Sequence, residues 1–283
     1  MKRIVPVLIC FFIFGSGCSV RQMVSEWSLP LVADQVESMR AESDLILARE
    51  SIPSNLKIME GLLKGDPKNV NLLEYLAEGF CSYAFSYVRD EDPARASVLY
   101  ARGKDYALRA LDQPQMAGLP PAEFAGAIEG FGAKRLPALF WLGQCWGEWL
   151  TLNLSSPSAF ADISKLEILL THNVKLDEDY RQAGPHLGLG VFYGNRSRML
   201  GGNPEKAKEH FQRNIELTGG KYLLSYYFYA KTVAVQTQDR ELFESLLRTA
   251  LSAPPEALPE ERLANEVAQR KAKALLEEAD DLF

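Results

Sequence analysis

Few residues in this chain have the chemistry for acid–base, nucleophilic or metal work, since it holds three His and four Cys. His172, His186 and His210 are 14 and 24 residues apart, so no local spacing offers two of them to one ion. No G-x-S-x-G, phosphate-binding G-x-x-x-x-G-K, G-x-G-x-x-G, H-E-x-x-H or paired C-x-x-C occurs. Cys145 and His186 would form a nucleophile–base pair only if neighbouring helices brought them together, and nothing in the sequence supplies a third, orienting group. The acidic run Asp177, Glu178 and Asp179 falls at a helix end and reads as solvated surface. Cys81 and Cys145 sit in aromatic helical stretches where small buried thiols are common. An oxidising compartment would permit a bond between them, but the expectation is two free core thiols. The residue inventory therefore predicts no enzyme, no catalytic residues, no metal and no cofactor.

Cys18 is the exception. Lys2 and Arg3 precede the apolar run Ile4 to Phe14, and Gly15-Ser16-Gly17-Cys18 follows. Eleven residues rise only about 16 Å as a helix, short of the ~30 Å hydrocarbon core, so the run reads as a signal-peptide core and not as a span. The small residues ending in Cys resemble the lipobox of bacterial lipoproteins, although position −3 is Gly15 where Leu is commonest. The prediction is a signal peptide over 1–17, diacylglycerated Cys18 as the mature N-terminus, and a short acylated tether over 18–30. Ser19 after the Cys, in place of an Asp, favours the outer membrane over the inner one. Loss of Lys2 and Arg3 leaves the mature chain at a net charge of −8, from −6 before cleavage. That acidity argues against nucleic acid, whose phosphates need a basic surface to release counterions. Gly 20 and Pro 15 in 283 residues exclude low-complexity classes, and 14 Phe, 11 Tyr and 4 Trp can fill a sizeable core.

The elements that must position these residues are helical. From Leu31 the apolar residues recur with a 3.6-residue period, and no stretch alternates as a strand. Gly65-Asp66-Pro67 ends a helix over 53–64, while Asp92-Pro93, Ser156-Pro157 and Asn203-Pro204 each supply an N-cap with Pro at the first helical position. Gly201-Gly202 before Asn203 predict a left-handed cap and a tight turn between helices. Leu189-Gly190-x2-Tyr193 on one helix and Ala207-x3-Phe211-x3-Ile215 on the next follow the tetratricopeptide (TPR) pattern. Leu76-Ala77-x2-Phe80 and Leu142-Gly143-x2-Trp146 repeat its first half, with 114–135 as an insertion. A first hairpin (31–50, 53–64) lacks the signature, and Tyr222 to Gln236 with Arg240 to Leu251 form the last one. The fold predicted for 31–283 is an all-α, TPR-like helical-hairpin solenoid. The amphipathic helix Pro259 to Asp280 is expected to cap its last repeat.

In such a solenoid the first helix of each hairpin lines the inner curve. Counted from the Leu-Gly markers, the inner positions are Glu74 and Glu78, then Phe140 and Gln144, then Leu187, Val191, Asn195 and Arg198, and last Tyr227 and Lys231. The positions from Phe140 onward mix apolar surface with a few polar groups, the usual make-up of a small-ligand site. There the amides of Gln144 and Asn195 would orient a polar end and Lys231 would pair with a carboxylate. A partner protein, or the C-terminal helix, would cover the same surface equally well.

Taken together, the lipoprotein start, G-P-H-L-G-L-G-V-F-Y (184–193), G-G-N-P-E-K-A-K-E-H-F-Q-R-N-I-E-L (201–217), Arg262-Leu263-Ala264-Asn265-Glu266 and the terminal Asp-Asp-Leu-Phe resemble one family. The sequence is similar to the TatT component of TPR-associated tripartite ATP-independent periplasmic (TRAP) transporters over nearly its whole length. That resemblance implies a periplasmic lipoprotein with a concave hydrophobic cleft, a homo-oligomer (a trimer), and a role without catalysis. Its partner would be the transporter's solute-binding subunit, and its ligand a small hydrophobic or organic-acid molecule. A lipoprotein scaffold for envelope or outer-membrane protein assembly is the alternative.

Overall fold

A computed structural model describes residues 17–283. The signal peptide expected over 1–17 lies, apart from the backbone of Gly17, outside the described residues, as does the side chain of Cys18 on which acylation depends. Among the described residues there is no strand. The helices are α1 (Gly17–Arg40), α2 (Leu45–Leu63), α3 (Val70–Tyr83), α4 (Pro93–Ala110), α5 (Pro121–Glu129), α6 (Leu136–Leu152), α7 (Pro157–Ala161) and α8 (Ile163–Leu176). They continue with α9 (Tyr180–Gly194), α10 (Pro204–Leu217), α11 (Leu224–Tyr229), α12 (Val235–Thr237), α13 (Arg240–Ser252), α14 (Arg262–Glu277) and α15 (Ala279–Leu282).

Side-chain caps fix where several of these begin. Asp44 accepts from the amides of Ile46 and Leu47, Asn69 from Leu72, Asp92 from Arg95, Asn203 from Lys206 and Asp239 from Leu242. Each such bond satisfies an otherwise unpaired amide and contributes about 1 kcal/mol. Ser156 precedes Pro157 as expected but makes no side-chain cap. The turn at 201–203 divides its labour: Gly201 takes the left-handed φ of 79°, whereas a Cβ on Gly202 would meet the Arg196 carbonyl oxygen at 1.7 Å. Gly202 is therefore required by contact and not by φ.

Small-to-large matching builds the core. A Cβ on Gly190 would meet the Phe211 ring at 2.9 Å, so the Leu-Gly pair in α9 exists to admit Phe211 from α10. Phe211 is fully buried and stacks on Tyr229 with centroids 5.2 Å apart. Trp146 is also fully buried; its indole donates to Asp162 at 3.0 Å and it meets Phe124 edge-on. Phe124 and Ile128 come from α5, so the 114–135 insertion is itself helical and supplies core.

Four expectations need correction. Residues 18–30 are no tether, because α1 runs unbroken from Gly17 to Arg40 with Pro30 inside it. Pro53 starts no helix; it lies within α2, which begins at Leu45 under the Asp44 cap. The C-terminal helix does more than cover the last hairpin: α14 packs on α13 and α11 and also reaches α1 and α2. Lys271 pairs with Asp90 just beyond α3, and Arg270 donates to the Ser86 carbonyl, so the end of the chain is tied to its beginning. An open solenoid has no such contact. Last, Cys81 and Cys145 are no free thiols. They form a disulfide between α3 and α6, with Cα atoms 5.5 Å apart, and the aromatic surroundings that suggested buried thiols pack around it.

Candidate functional site

The largest cavity, about 180 Å³, lies where the chain's two ends meet, walled by α1, α2, α3, the start of α6, the start of α9 and α14. It has room for roughly a dozen waters, hence for a small organic molecule. Val36, Met39, Ile52, Leu56, Met59, Phe85, Trp141, Leu263 and Val267 give it a mainly apolar wall. After Tyr83 the α3 helix widens into a π-helical turn over Ala84–Val88, which holds Phe85 and Ser86 at this wall.

One side of the cavity is charged. Arg40 holds the Glu78 carboxylate bidentately, through Nε at 2.7 Å and a terminal nitrogen at 2.6 Å. Arg181 donates to the same carboxylate at 2.6 Å and lies 3.7 Å from Glu261. Burial pushes the Glu78 carboxyl up, but Arg181 and Arg40 together outweigh it and hold the group below the ordinary carboxylate range. Burial raises the Glu261 carboxyl, and Arg181 only partly opposes that.

Arg181 reaches this network through unusual backbone. Arg181, Gln182 and Ala183 take φ of 51°, 55° and 51°. Left-handed φ costs non-glycine residues about 1–2 kcal/mol each. The turn is braced by Asn214, whose amide donates to the carbonyls of Gln182 at 2.8 Å and Ala183 at 2.9 Å. Ser225 in turn orients Asn214. After the turn, right-handed α9 starts again at Gly184-Pro185, where a Cβ on Gly184 would strike the Phe140 ring at 2.6 Å.

The sequence-predicted residues divide among several places. Phe140 lines the large cavity, as does Glu78 from the inner-face count. Gln144, Leu187, Val191 and Asn195 line a second, smaller cleft of about 50 Å³ between α6, α8 and α9, with Arg196 and Phe228. Tyr227 and Lys231 line neither; the Lys231 ammonium donates to the Tyr227 hydroxyl at 3.0 Å. Burial, then Arg89, lowers the Lys231 pKa, so it is no waiting partner for a carboxylate. Arg198 is exposed and paired with Glu205 at 2.6 Å. Curvature alone thus misassigned Tyr227, Lys231 and Arg198, because the closure by α14 and the Gly201-Gly202 turn decide which side chains face a cavity.

Sequence reading also missed a histidine pair. His186 and His210 meet Nδ1 to Nδ1 at 2.9 Å, and His186 Nε2 lies 3.0 Å from Glu178. Hydrogen bonds from Arg213 and then His186 hold Glu178 down at about 2. Burial, then His186, pushes His210 down to about 4, so it is neutral at physiological pH. Glu178 is no solvated bystander, and with Cys145 in a disulfide there is no Cys–His couple. No signal of spacing could show this, since the left-handed turn lies between Glu178 and His186. Among the described residues no group of three or more His, Cys, Asp or Glu is arranged to hold a metal ion.

Beside the network, Glu74 is raised to about 7 by burial, which Arg135 only partly offsets. A carboxyl with a raised folded pKa favours the fold when protonated, and that advantage is lost as pH climbs from about 4.5 to about 7. Glu74→Gln should therefore be more stable than wild type at pH 8 by about 1–2 kcal/mol, discounted for partial exposure. Below pH ~4.5 the two should coincide. Urea melts at both pH values test this; equal stability at pH 8 would show Glu74 to be well solvated.

The fold and cavities define a class: an all-α protein of packed helical hairpins whose built chemistry is a partly charged apolar cavity. The chain belongs to the TRAP transporter T-component family (TAtT), whose family model matches residues 41–283. It is also similar to an uncharacterized protein of Treponema pallidum (strain Nichols), at 23% identity with 98% of each chain covered. It is thus a component of a TRAP-type transporter.

Proposed function

We propose that this T-component is a non-enzymatic, lipid-anchored periplasmic accessory that associates with the transporter's solute-binding subunit and holds a small amphiphilic organic molecule in the large cavity. The observation that carries the reading is the cavity itself: an apolar wall facing a four-residue charge network, the pairing that suits a ligand with a hydrocarbon body and a polar end. Family membership supports the transporter role. Anchoring rests on the lipobox-like Cys18 and on the surface of α1. Val20, Met23, Val24, Trp27 and Leu31 recur along one stripe of that helix and are all exposed, which suits a helix held at a lipid surface. No helix among the described residues is long and apolar enough to cross a membrane. We further propose the outer membrane as the anchor site and a homo-oligomeric, trimeric assembly, as the family resemblance implies.

The test uses protein purified with its acyl anchor from its own envelope. Native mass spectrometry should find a small organic molecule bound to wild type and absent from Ser82→Trp, which fills the cavity from α3. Both should capture the solute-binding subunit, because Ser82 is not on the outer surface that a partner meets first. An empty wild-type cavity would overturn the ligand assignment, and failure of both proteins to capture the subunit would overturn the partnership.

A further inference from the structure

Arg196 is a buried cation left without an anion. The residue is 6% exposed, follows α9 directly, and has its guanidinium carbon 3.5 Å from the centre of the Phe192 ring. Its Nε donates to the Leu200 carbonyl at 3.2 Å, and one terminal nitrogen is buried with no hydrogen-bond partner. No carboxylate among the described residues forms an ion pair with it. The nearby Glu167 instead accepts the Tyr193 hydroxyl at 2.6 Å. Glu148, which lines the same cleft, is taken by Arg89. Burial drives the Arg196 guanidinium down to about 10, a measure of how poorly the site neutralises it. Buried charges in folded proteins are paired, because an isolated one forfeits its hydration without return.

The cleft that Arg196 lines is separate from the large cavity and shares none of its residues. Its 50 Å³ hold about four waters. That is the size of a carboxylate group with two to four carbons. Gln144, Thr151 and Asn195 supply neutral polar groups, and Leu150, Leu166, Leu187 and Val191 supply apolar wall. We propose that this cleft is a binding site for a short aliphatic monocarboxylate, its head on the free nitrogen of Arg196 and its tail along Leu187 and Val191. The wall disfavours inorganic phosphate or sulfate: a doubly charged tetrahedral ion would set two charges against one guanidinium and leave the leucines facing polar oxygens.

Calorimetry and ligand-observed NMR on the whole mature protein, with sodium butyrate, butyramide and sodium phosphate, decide the matter. Wild type should bind butyrate at least tenfold more tightly than the amide or phosphate. Arg196→Met should weaken butyrate at least tenfold, equivalent to about 1.4 kcal/mol, while leaving butyramide unchanged. Its melting temperature should hold or rise, since an unpaired buried charge has gone. Val191→Phe, which fills the tail position, should abolish binding of both, and it carries the test if Arg196→Met fails to fold. Ser82→Trp should leave butyrate binding intact, so this site fails or stands independently of the large cavity. Equal binding of butyrate and butyramide, no binding of either, or unchanged butyrate affinity in Arg196→Met or Val191→Phe overturns the proposal. Tighter binding of phosphate than butyrate would overturn the monocarboxylate assignment.

Discussion

Glu78→Gln should cost about 3–5 kcal/mol of stability at pH 7, because it removes the carboxylate that two guanidinium groups share in a buried place. Glu78 is 9% exposed and receives Arg40 through two bonds and Arg181 through one. Without it both cations remain beside the apolar cavity, with only Glu261 opposite Arg181, and burial already raises the Glu261 carboxyl. Stability from Glu78 is present above the carboxylate range and lost as pH falls through its depressed folded pKa. The variant should therefore lack part of the wild type's acid sensitivity below about pH 4.5. Urea denaturation at pH 7 and pH 4 measures both effects. A loss under about 1 kcal/mol at pH 7 would mean the network is effectively solvated and the charged cavity wall mobile.

Loss of the Cys81–Cys145 bond should have a comparable effect. The two residues are 64 apart in sequence. Releasing a loop of that size returns about 4 kcal/mol of chain entropy to the unfolded state. The bond joins α3 to α6 beside α4, where a Cβ on Gly103 would meet the Cys145 sulfur at 2.7 Å. Tyr83, Tyr87, Val88, Ala96 and Tyr100 pack around it, so reductant should reach it only as the fold opens. The Cys81→Ala, Cys145→Ala double variant should melt well below wild type, and wild type should fall to the same point in reductant. Two reactive thiols in denatured, unreduced protein from the envelope would disprove the bond. A disulfide of this kind agrees with an oxidising compartment.

The two chemistries of Cys show how far one-dimensional reading goes. The run that precedes Cys18 is local, so an acylation site is readable from adjacent residues alone. Whether Cys81 meets Cys145 depends on how α3 and α6 pack across α4, and burial propensity gives the same answer for a thiol and a disulfide. The candidate site divides in the same way. Gln144, Leu187, Val191 and Asn195 share a cleft because helix periodicity puts them on facing surfaces of neighbouring helices. Lys231 has the same periodic credentials but lies beside Arg89 and Asp90, contacts made through the end of α3. Arg196 attracted no notice in the sequence, where it is one Arg in a polar turn; its unpaired burial comes from the Gly201-Gly202 fold-back over its carbonyl.

By itself the sequence determined the all-α class, most helix boundaries and the pairing of α9 with α10, along with the family. These rest on interactions within a few residues: a side chain capping its own helix, a 3.6-residue period, a Gly matched to a Phe one helix later. Only the tertiary structure decided the large cavity, the disulfide, the His186–His210 pair and the charge network. Each of these joins residues far apart in the chain through backbone that no propensity favours. Arg181 reaches Glu78, more than a hundred positions earlier, only because three consecutive non-glycine residues hold left-handed φ under the clamp of Asn214. The cavity closes only because Lys271 and Arg270 bring α14 back to the end of α3. Local rules count these conformations as costs, and it is the packing and charge pairing of the whole fold that offset them.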